Sequence, residues 1–283
     1  MEFALRFSAA TTAERLLPGP IAARAMPALR RIDAALFSAD ERGEAGRMSL
    51  FAFAVRIVSA AIAFVSQVLL ARWMGSFEYG IFVLVWVAMV IAGSLSCLGF
   101  HTSVIRFIPE YREKGMFAEL RGILRASRRL VLFASTAIAA LGAAGVWLVS
   151  ARIEAYYVVP FFLGMFCLPM IALSDLLQGQ ARANSWAYSA LLPAYIIRPV
   201  LILAFMAAAL ASGLPATAET AVLAAIAATY ATTLGQLVQI PARAERRVPP
   251  GPRTVRLGYW LKISLPIFLV ESFFFLLTNA DVL

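Results

Sequence analysis

Residues 81–101 read IFVLVWVAMVIAGSLSCLGFH, a run of 21 residues that contains no Asp, Glu, Lys or Arg. At about 1.5 Å per residue, an α-helix of this length matches the roughly 30 Å hydrocarbon core of a bilayer. Similar apolar runs recur on both sides of it. We predict membrane-spanning helices at residues 49–71, 81–101, 130–149, 155–176, 186–210, 220–240 and from residue 260 onward.

The composition of the whole chain supports a polytopic membrane protein. Hydrophobic residues make up 61% of the 283 residues, charged residues make up 14%, and the mean hydropathy is +0.81. An average soluble domain has about 25% charged residues. These values exclude a soluble globular domain, a disordered tail and a fibrous repeat. The predicted fold class is all-α: a membrane helical bundle with six complete transmembrane helices and a seventh at the C-terminal end.

The apolar runs divide the chain into four parts. We predict a charged cytoplasmic tail at residues 1–48, a six-helix transmembrane lobe at 49–240, a basic cytoplasmic loop at 241–259 and a further helix at 260–283. Many transporters consist of two similar halves, so we interpret the last helix as the start of a missing second lobe. The chain is then the N-terminal half of a longer protein or a truncated gene product.

Lys and Arg outside the predicted spans are distributed very unevenly. The tail, residues 106–129, Arg182 and residues 243–262 hold 21 of the 25 cations, whereas the intervening turns hold two, Arg72 and Arg152. Cytoplasmic loops of membrane proteins carry an excess of Lys and Arg, so we place the N-terminus in the cytoplasm. The same rule accounts for the net charge of +9 and the pI near 10.1 without a nucleic-acid partner.

Three charged residues inside predicted spans stand out as candidates, because a charge there costs about 2.5–3.5 kcal/mol on insertion scales and usually faces a cavity. Arg56 either serves the function of the protein within the membrane or extends its side chain to the nearby cytoplasmic interface. Arg198, near the middle of its span, faces a cavity or forms a structural ion pair. Glu271 pairs with Arg198 or carries a proton. Gln67 is a weaker candidate, since polar residues in spans commonly bond a neighbouring helix.

Sequence signals of catalysis and of metal binding are missing. The chain has no Gly-rich phosphate loop and no Asp-x-Asp motif, and the predicted outer turns are too short for an active-site domain. Its two cysteines, Cys97 and Cys167, and its single histidine, His101, cannot form a tetrahedral zinc site. We therefore predict no enzymatic activity, no cofactor and no metal.

Several short stretches together resemble one known family. They are LLARWMG at 69–75, FEYG at 77–80, LGF at 98–100, RFIPEY at 106–111, RPVL at 198–201, SLPI at 264–267 and NADVL at 279–283. In this order they resemble the N-terminal half of the bacterial polysaccharide flippase family. That family moves lipid-linked oligosaccharides, such as O-antigen (lipopolysaccharide) or exopolysaccharide repeat units. Its superfamily includes multidrug and toxin extrusion antiporters.

The resemblance implies a transporter of the bacterial cytoplasmic (inner) membrane that flips a lipid-linked oligosaccharide or polysaccharide repeat unit by alternating access between two lobes. An anionic diphosphate headgroup requires cations, which Arg56 and Arg198 would supply beside Gln67. Glu271 or Asp281 would couple transport to a proton or cation gradient. The implied partners are the lipid-linked oligosaccharide and membrane lipids, and polysaccharide polymerase and glycosyltransferases are further candidates.

Two alternatives stay open, one a different kind of transporter and the other a protein of another functional class. A multidrug or metabolite antiporter coupled to a cation would favour acidic residues in its cavity, whereas two of the three charged candidates, Arg56 and Arg198, are basic. A non-transporting membrane scaffold of a polysaccharide synthesis complex agrees with the long N-terminal tail and with a truncated chain.

The charge bias generates a topology prediction. Reporter fusions made after Arg121 and Arg247 should be active as cytoplasmic reporters, and fusions after Ser76 and Ser212 as periplasmic reporters, because the basic loops remain on the cytoplasmic side. A cytoplasmic reporter signal at Ser212 would contradict the predicted order of spans.

Overall fold

A computed structural model describes Met26 and residues 41–278. Most of the predicted tail, the NADVL stretch and its Asp281 therefore lie outside the described residues. The contacts divide the chain into two compact units, Met1–Ile57 and Val58–Leu283. The described part of the first unit is helical. The cavity and the groove described below both belong to the second unit.

Within the described ranges, the chain forms helices joined by short turns and contains no strand. The helices are α1 Glu41–Ser96, α2 Phe100–Glu113, α3 Phe117–Val149, α4 Ala155–Arg182, α5 Ala187–Leu192, a π-helical segment Pro193–Ile197, α6 Arg198–Ala211, α7 Ala218–Glu245 and α8 Leu257–Thr278.

Six helical stretches among these residues are long and apolar enough to cross a membrane, which confirms the predicted all-helical membrane fold. They are Leu50–Glu113, Phe117–Val149, Ala155–Arg182, Ala187–Ala211, Ala218–Glu245 and Leu257–Phe274.

The first two predicted spans are two helices that meet at a kink within α1, and this kink lies inside the turn predicted at residues 72–80. Only Gly75 departs from helical backbone there, with φ 80° and ψ 165°. Glycine adopts positive φ at little cost because it has no Cβ, so one residue interrupts the helix. The stretch Leu50–Glu113 has 64 residues. At about 1.5 Å per residue, this is roughly three times the thickness of the hydrocarbon core, which leaves room for both predicted spans.

The basic stretch predicted between the second and third spans consists of two helices. It begins within α2, whose last residue is Glu113, and continues into α3, which begins at Phe117. The turn between them contains Gly115 at φ 68°. Since α3 continues to Val149, the basic residues of its first turns and the apolar residues of the third span lie on one uninterrupted helix.

Three of the stretches that carry the family resemblance, at 98–100, 106–111 and 264–267, contribute to the contact between α2 and α8. Gly99 precedes α2 in a left-handed conformation, and a Cβ atom there would collide with the backbone oxygen of Ser264. The hydroxyl groups of Ser103 and Ser264 are 2.7 Å apart. Trp260 donates a hydrogen bond of 2.8 Å from Nε1 to the hydroxyl of Tyr111. Close backbone approach and interhelical hydrogen bonds are the usual means of joining helices in a membrane.

A fourth stretch of this set, at 77–80, caps the start of α7. Glu78 accepts a hydrogen bond of 2.7 Å from the backbone N–H of Ala218. The first N–H groups of a helix lack partners within the helix and carry a partial positive charge. The carboxylate of Glu78 satisfies one of them and attaches α1 to α7.

Buried apolar residues of the second unit form two clusters. The first joins α2, α3, α4, the end of α7 and the start of α8, with Phe100, Phe107, Leu176 and Trp260 among its members. The second joins α1, α4, α6 and the start of α7 around Val85, Ile171, Met206 and Ala225. Helix α4 contributes to both clusters and contacts α2, α3 and α7. It is therefore the central helix of this unit.

The contact between α4 and α2 depends on Gly179. A Cβ atom at this position would collide with the backbone oxygen of His101. A backbone oxygen cannot move away as the end of a side chain can, so any larger residue has to separate the two helices.

We predict that Gly179→Ala destabilises the protein by about 1–3 kcal/mol, the usual cost of overpacking. Gly235→Ala is the matched control, because Gly235 also lies inside a helix and has no neighbour within 4 Å of the added Cβ. It should be neutral or stabilising by up to about 1 kcal/mol, because Ala favours the helix. Thermal unfolding of both variants in detergent measures the difference. Equal melting temperatures would contradict the prediction.

Candidate functional site

A cavity of about 400 Å³ opens among α1, α4, the π-helical segment and α6. Helix α1 contributes residues on both sides of the break at Gly75, from Ala63 to Val90. The polar lining residues are Ser66, Gln67, Asp175, Gln178, Tyr195 and Arg198.

One wall of the cavity is aromatic. Tyr79, Phe82 and Trp86 follow one another at intervals of three and four residues, so they lie on one face of α1. The rings of Phe82 and Trp86 are stacked, with centroids 6.3 Å apart. Rigid apolar walls with a few placed polar groups are typical of ligand-binding pockets.

Arg198 is the buried cation of this cavity, with 7% of its surface exposed. Its Nη2 donates a hydrogen bond of 2.7 Å to the hydroxyl of Ser174, which in turn donates 2.8 Å to Oε1 of Gln236. Its Nε has no hydrogen-bond partner, and the described residues include no ion pair to its guanidinium. A guanidinium with donors to spare in an apolar cavity is suited to an anionic ligand.

The π-helical segment determines where Arg198 lies. Pro199 has no N–H to donate to the carbonyl of Tyr195, four residues earlier, and its ring clashes with that carbonyl. The helix widens in response, and the N–H of Arg198 bonds to the carbonyl of Pro193, five residues earlier. Single π-turns of this kind are frequent at functional sites.

Asp175 is a cavity residue that the sequence analysis missed. It lies on α4, accepts a hydrogen bond of 3.2 Å from Nε2 of Gln178 and also bonds Ser94. Asp175 and Arg198 line the same cavity, and their opposite charges attract each other. The available signal was an acidic residue one position before the end of the predicted span 155–176.

Glu271 lies against the start of α2. Its Oε1 accepts a hydrogen bond of 2.5 Å from the hydroxyl of Thr102, and its Oε2 is 3.4 Å from Nε2 of His101. The sequence analysis gave an ion pair between Glu271 and Arg198 as one alternative. The described residues form no such pair. The reason is the close contact of α8 with α2 near Ser264, which brings Glu271 to α2 two turns further along α8.

Residues 46–283 match the model of a protein family described as polysaccharide biosynthesis protein. The chain belongs to this family. No curated protein and no solved structure matches it significantly. Since six helical stretches among residues 41–278 are long and apolar enough for a membrane, it is a multi-pass membrane protein of polysaccharide biosynthesis.

In this polysaccharide biosynthesis protein, the cavity brings together two of the five residues predicted as a site. Gln67 and Arg198 line it together. Arg56 belongs to the first unit, where its side chain is exposed. Glu271 lies at the contact between α2 and α8, and Asp281 lies outside the described residues. Within the described part of the chain, no group of three His, Cys, Asp or Glu side chains is arranged to hold a metal ion.

The network around Arg198 generates a stability prediction for the polysaccharide biosynthesis protein. Ser174→Ala should destabilise it by about 1–3 kcal/mol, because Nη2 of Arg198 and Oε1 of Gln236 both lose a buried partner. Ser135→Ala is the matched control: this buried hydroxyl bonds only to carbonyls of its own helix. Thermal unfolding should show a clearly larger loss for Ser174→Ala, and equal losses would mean that the network adds no stability.

Proposed function

We propose that the protein moves a lipid-linked oligosaccharide or polysaccharide repeat unit across the bacterial cytoplasmic membrane, and that the cavity receives the diphosphate headgroup. Membership of the polysaccharide biosynthesis family supports this substrate class. The observation that carries the proposal is Arg198, a buried cation that lines the cavity and keeps an unpartnered Nε.

The chemistry of the cavity suits such a headgroup. A guanidinium binds a phosphate group through two parallel hydrogen bonds, and these are stronger where water is excluded. Gln67 offers two further amide donors and a carbonyl acceptor. The aromatic wall offers a flat apolar surface for the rest of the headgroup. A volume of about 400 Å³ falls within the range of pockets that enclose a small ligand.

Several further parts of the proposal rest on the sequence. Arg56 is proposed as a second cation for the substrate, and Glu271 and Asp281 as sites of coupling to a proton or cation. At Glu271, protonation would change its contacts with His101 and Thr102, which connect α8 to α2. Residues 49–240 would form one lobe and residues 260–283 would begin the second. Polymerases and glycosyltransferases of the same biosynthesis are proposed partners.

Asp175 favours a second candidate function, a cation-coupled antiporter for a multidrug or metabolite substrate. An acidic group in an apolar cavity attracts cationic substrates. The two candidates differ in the sign of the substrate charge, so neutralising Asp175 separates them.

The main prediction is that Arg198→Gln reduces surface polysaccharide by about tenfold or more, while the abundance of the protein in the membrane stays near normal. One charge-assisted hydrogen bond contributes about 1.5–3 kcal/mol, and 1.4 kcal/mol corresponds to a factor of ten. Arg198→Lys should restore the amount only in part, since it keeps the charge without the fork geometry.

The measurement uses a strain from which the gene is deleted. Each variant is returned to this strain within the complete native gene. Arg152→Gln is the matched control, because it removes the same charge from an exposed turn. Normal surface polysaccharide and normal abundance in Arg198→Gln would overturn the proposed role of Arg198.

A companion prediction concerns Asp175→Asn. If the substrate is an anionic lipid-linked saccharide, removing this negative charge should leave surface polysaccharide at or above the normal amount. If the protein exports cations, the same variant should lose resistance to cationic compounds. Surface polysaccharide and resistance are measured side by side in one strain.

A further inference from the structure

A row of arginines runs along one face of α3. Arg121, Arg125 and Arg129 are four residues apart, so they project from the same side of the helix. Phe133 continues the row by one more turn. The row therefore leads from the basic loop after α7 to the apolar part of α3.

The first two arginines attach this loop to α3. Arg121 donates to the carbonyl oxygens of Pro249 and Pro252, with a distance of 2.8 Å from Nε to the latter. Arg125 donates 2.8 Å to Oε1 of Glu245. These contacts give the loop a defined position beside α3.

The backbone strengthens this attachment. The N–H of Thr254 donates a hydrogen bond of 3.0 Å to the carbonyl of Ala118. Gly122 permits the approach, since a Cβ atom there would collide with the backbone oxygen of Thr254. The loop therefore packs directly on α3 and forms the second wall of a groove.

The groove has a volume of about 380 Å³ and combines cations with apolar side chains. Arg129 and Arg253 both line it, both are exposed, and neither has a hydrogen bond or an ion pair among the described residues. Its remaining surface includes Leu130, Phe133 and Leu257. Phe133 is 75% exposed, which is expected of a residue that contacts lipid chains.

The groove lies where charged residues give way to the apolar parts of α3 and α8. The apolar part of α3 begins immediately after Arg129, and α8 begins at Leu257. We therefore expect both helices to leave the hydrocarbon core at the groove, on the side that carries the basic loops. Basic pockets between helices on this side are suited to anionic lipid headgroups.

We propose that this groove binds one anionic phospholipid of the basic, cytoplasmic side of the membrane. Arg129 and Arg253 contact the headgroup phosphate, and an acyl chain lies along Phe133 and Leu257. The apolar half of the groove distinguishes a lipid from a free phosphate ion. The lipid is separate from the transported substrate, and its binding does not depend on the function proposed for the cavity.

The test is native mass spectrometry of the purified full chain in detergent, titrated with phosphatidylglycerol and, separately, with phosphatidylcholine. The variant is Arg129→Gln combined with Arg253→Gln. The matched control is Arg106→Gln combined with Arg246→Gln, which removes the same charge from exposed positions on the same basic side. Unchanged melting temperatures establish that both variants are folded.

We expect the original chain to retain phosphatidylglycerol in preference to phosphatidylcholine. The groove variant should bind phosphatidylglycerol at least about tenfold more weakly, because each arginine near a charged membrane surface contributes on the order of 1 kcal/mol. The control should bind it nearly as well as the original chain. Phe133→Ser should also weaken binding, since it removes the apolar contact while keeping both cations.

Three results would overturn the proposal. One is an equal loss of phosphatidylglycerol in the groove variant and the control, which would indicate general attraction to the basic surface. Another is equal retention of phosphatidylcholine by the original chain. The third is displacement of the lipid by millimolar inorganic phosphate, which would show that the groove recognises the anion alone.

Discussion

No water is available in the hydrocarbon core of a membrane to satisfy a polar group, and this constraint governs the whole architecture. Every described membrane segment is helical because a helix pairs its own backbone groups. Where Pro199 removes a donor, the chain does not leave the helix but widens into a π-turn, and the N–H of Arg198 reaches the carbonyl of Pro193. This local rearrangement lies beside the cavity, where irregular backbone is tolerated.

The same constraint explains how the helices are held together. Lipid chains are as apolar as leucine, so burial alone does not drive helices together in a bilayer. Close packing at Gly99 and Gly179 and the hydrogen bond between Ser103 and Ser264 provide the contacts instead. The stretches around Glu78, Gly99 and Tyr111 that carry the family resemblance all take part in contacts between helices. These contacts give the stretches a structural role, and Tyr79, next to Glu78, also lines the cavity.

The protein presents arginine in two different settings. Arg198 is buried in the cavity, where a low dielectric strengthens its interaction with an anion. Arg129 and Arg253 are exposed at the expected membrane boundary, where water and salt weaken such interactions. The first setting suits selective binding of one charged headgroup inside the membrane. The second suits a lipid that also gains affinity from apolar contact, so the two proposed sites would differ in the part of the ligand that contributes most to binding.

The sequence by itself determined the helical class, the approximate spans and the candidacy of Arg198 and Gln67, because hydropathy and the cost of a buried charge are properties read along the chain. Only the tertiary structure decided which residues meet. Within the turn predicted at residues 72–80, only Gly75 interrupts the helix, since the length of a turn depends on how the flanking helices pack. Asp175 entered the cavity from α4. Glu271 contacted Thr102, 169 positions earlier, instead of Arg198. No pattern within one helix specifies its neighbours, because close backbone approach and hydrogen bonds between distant segments select them.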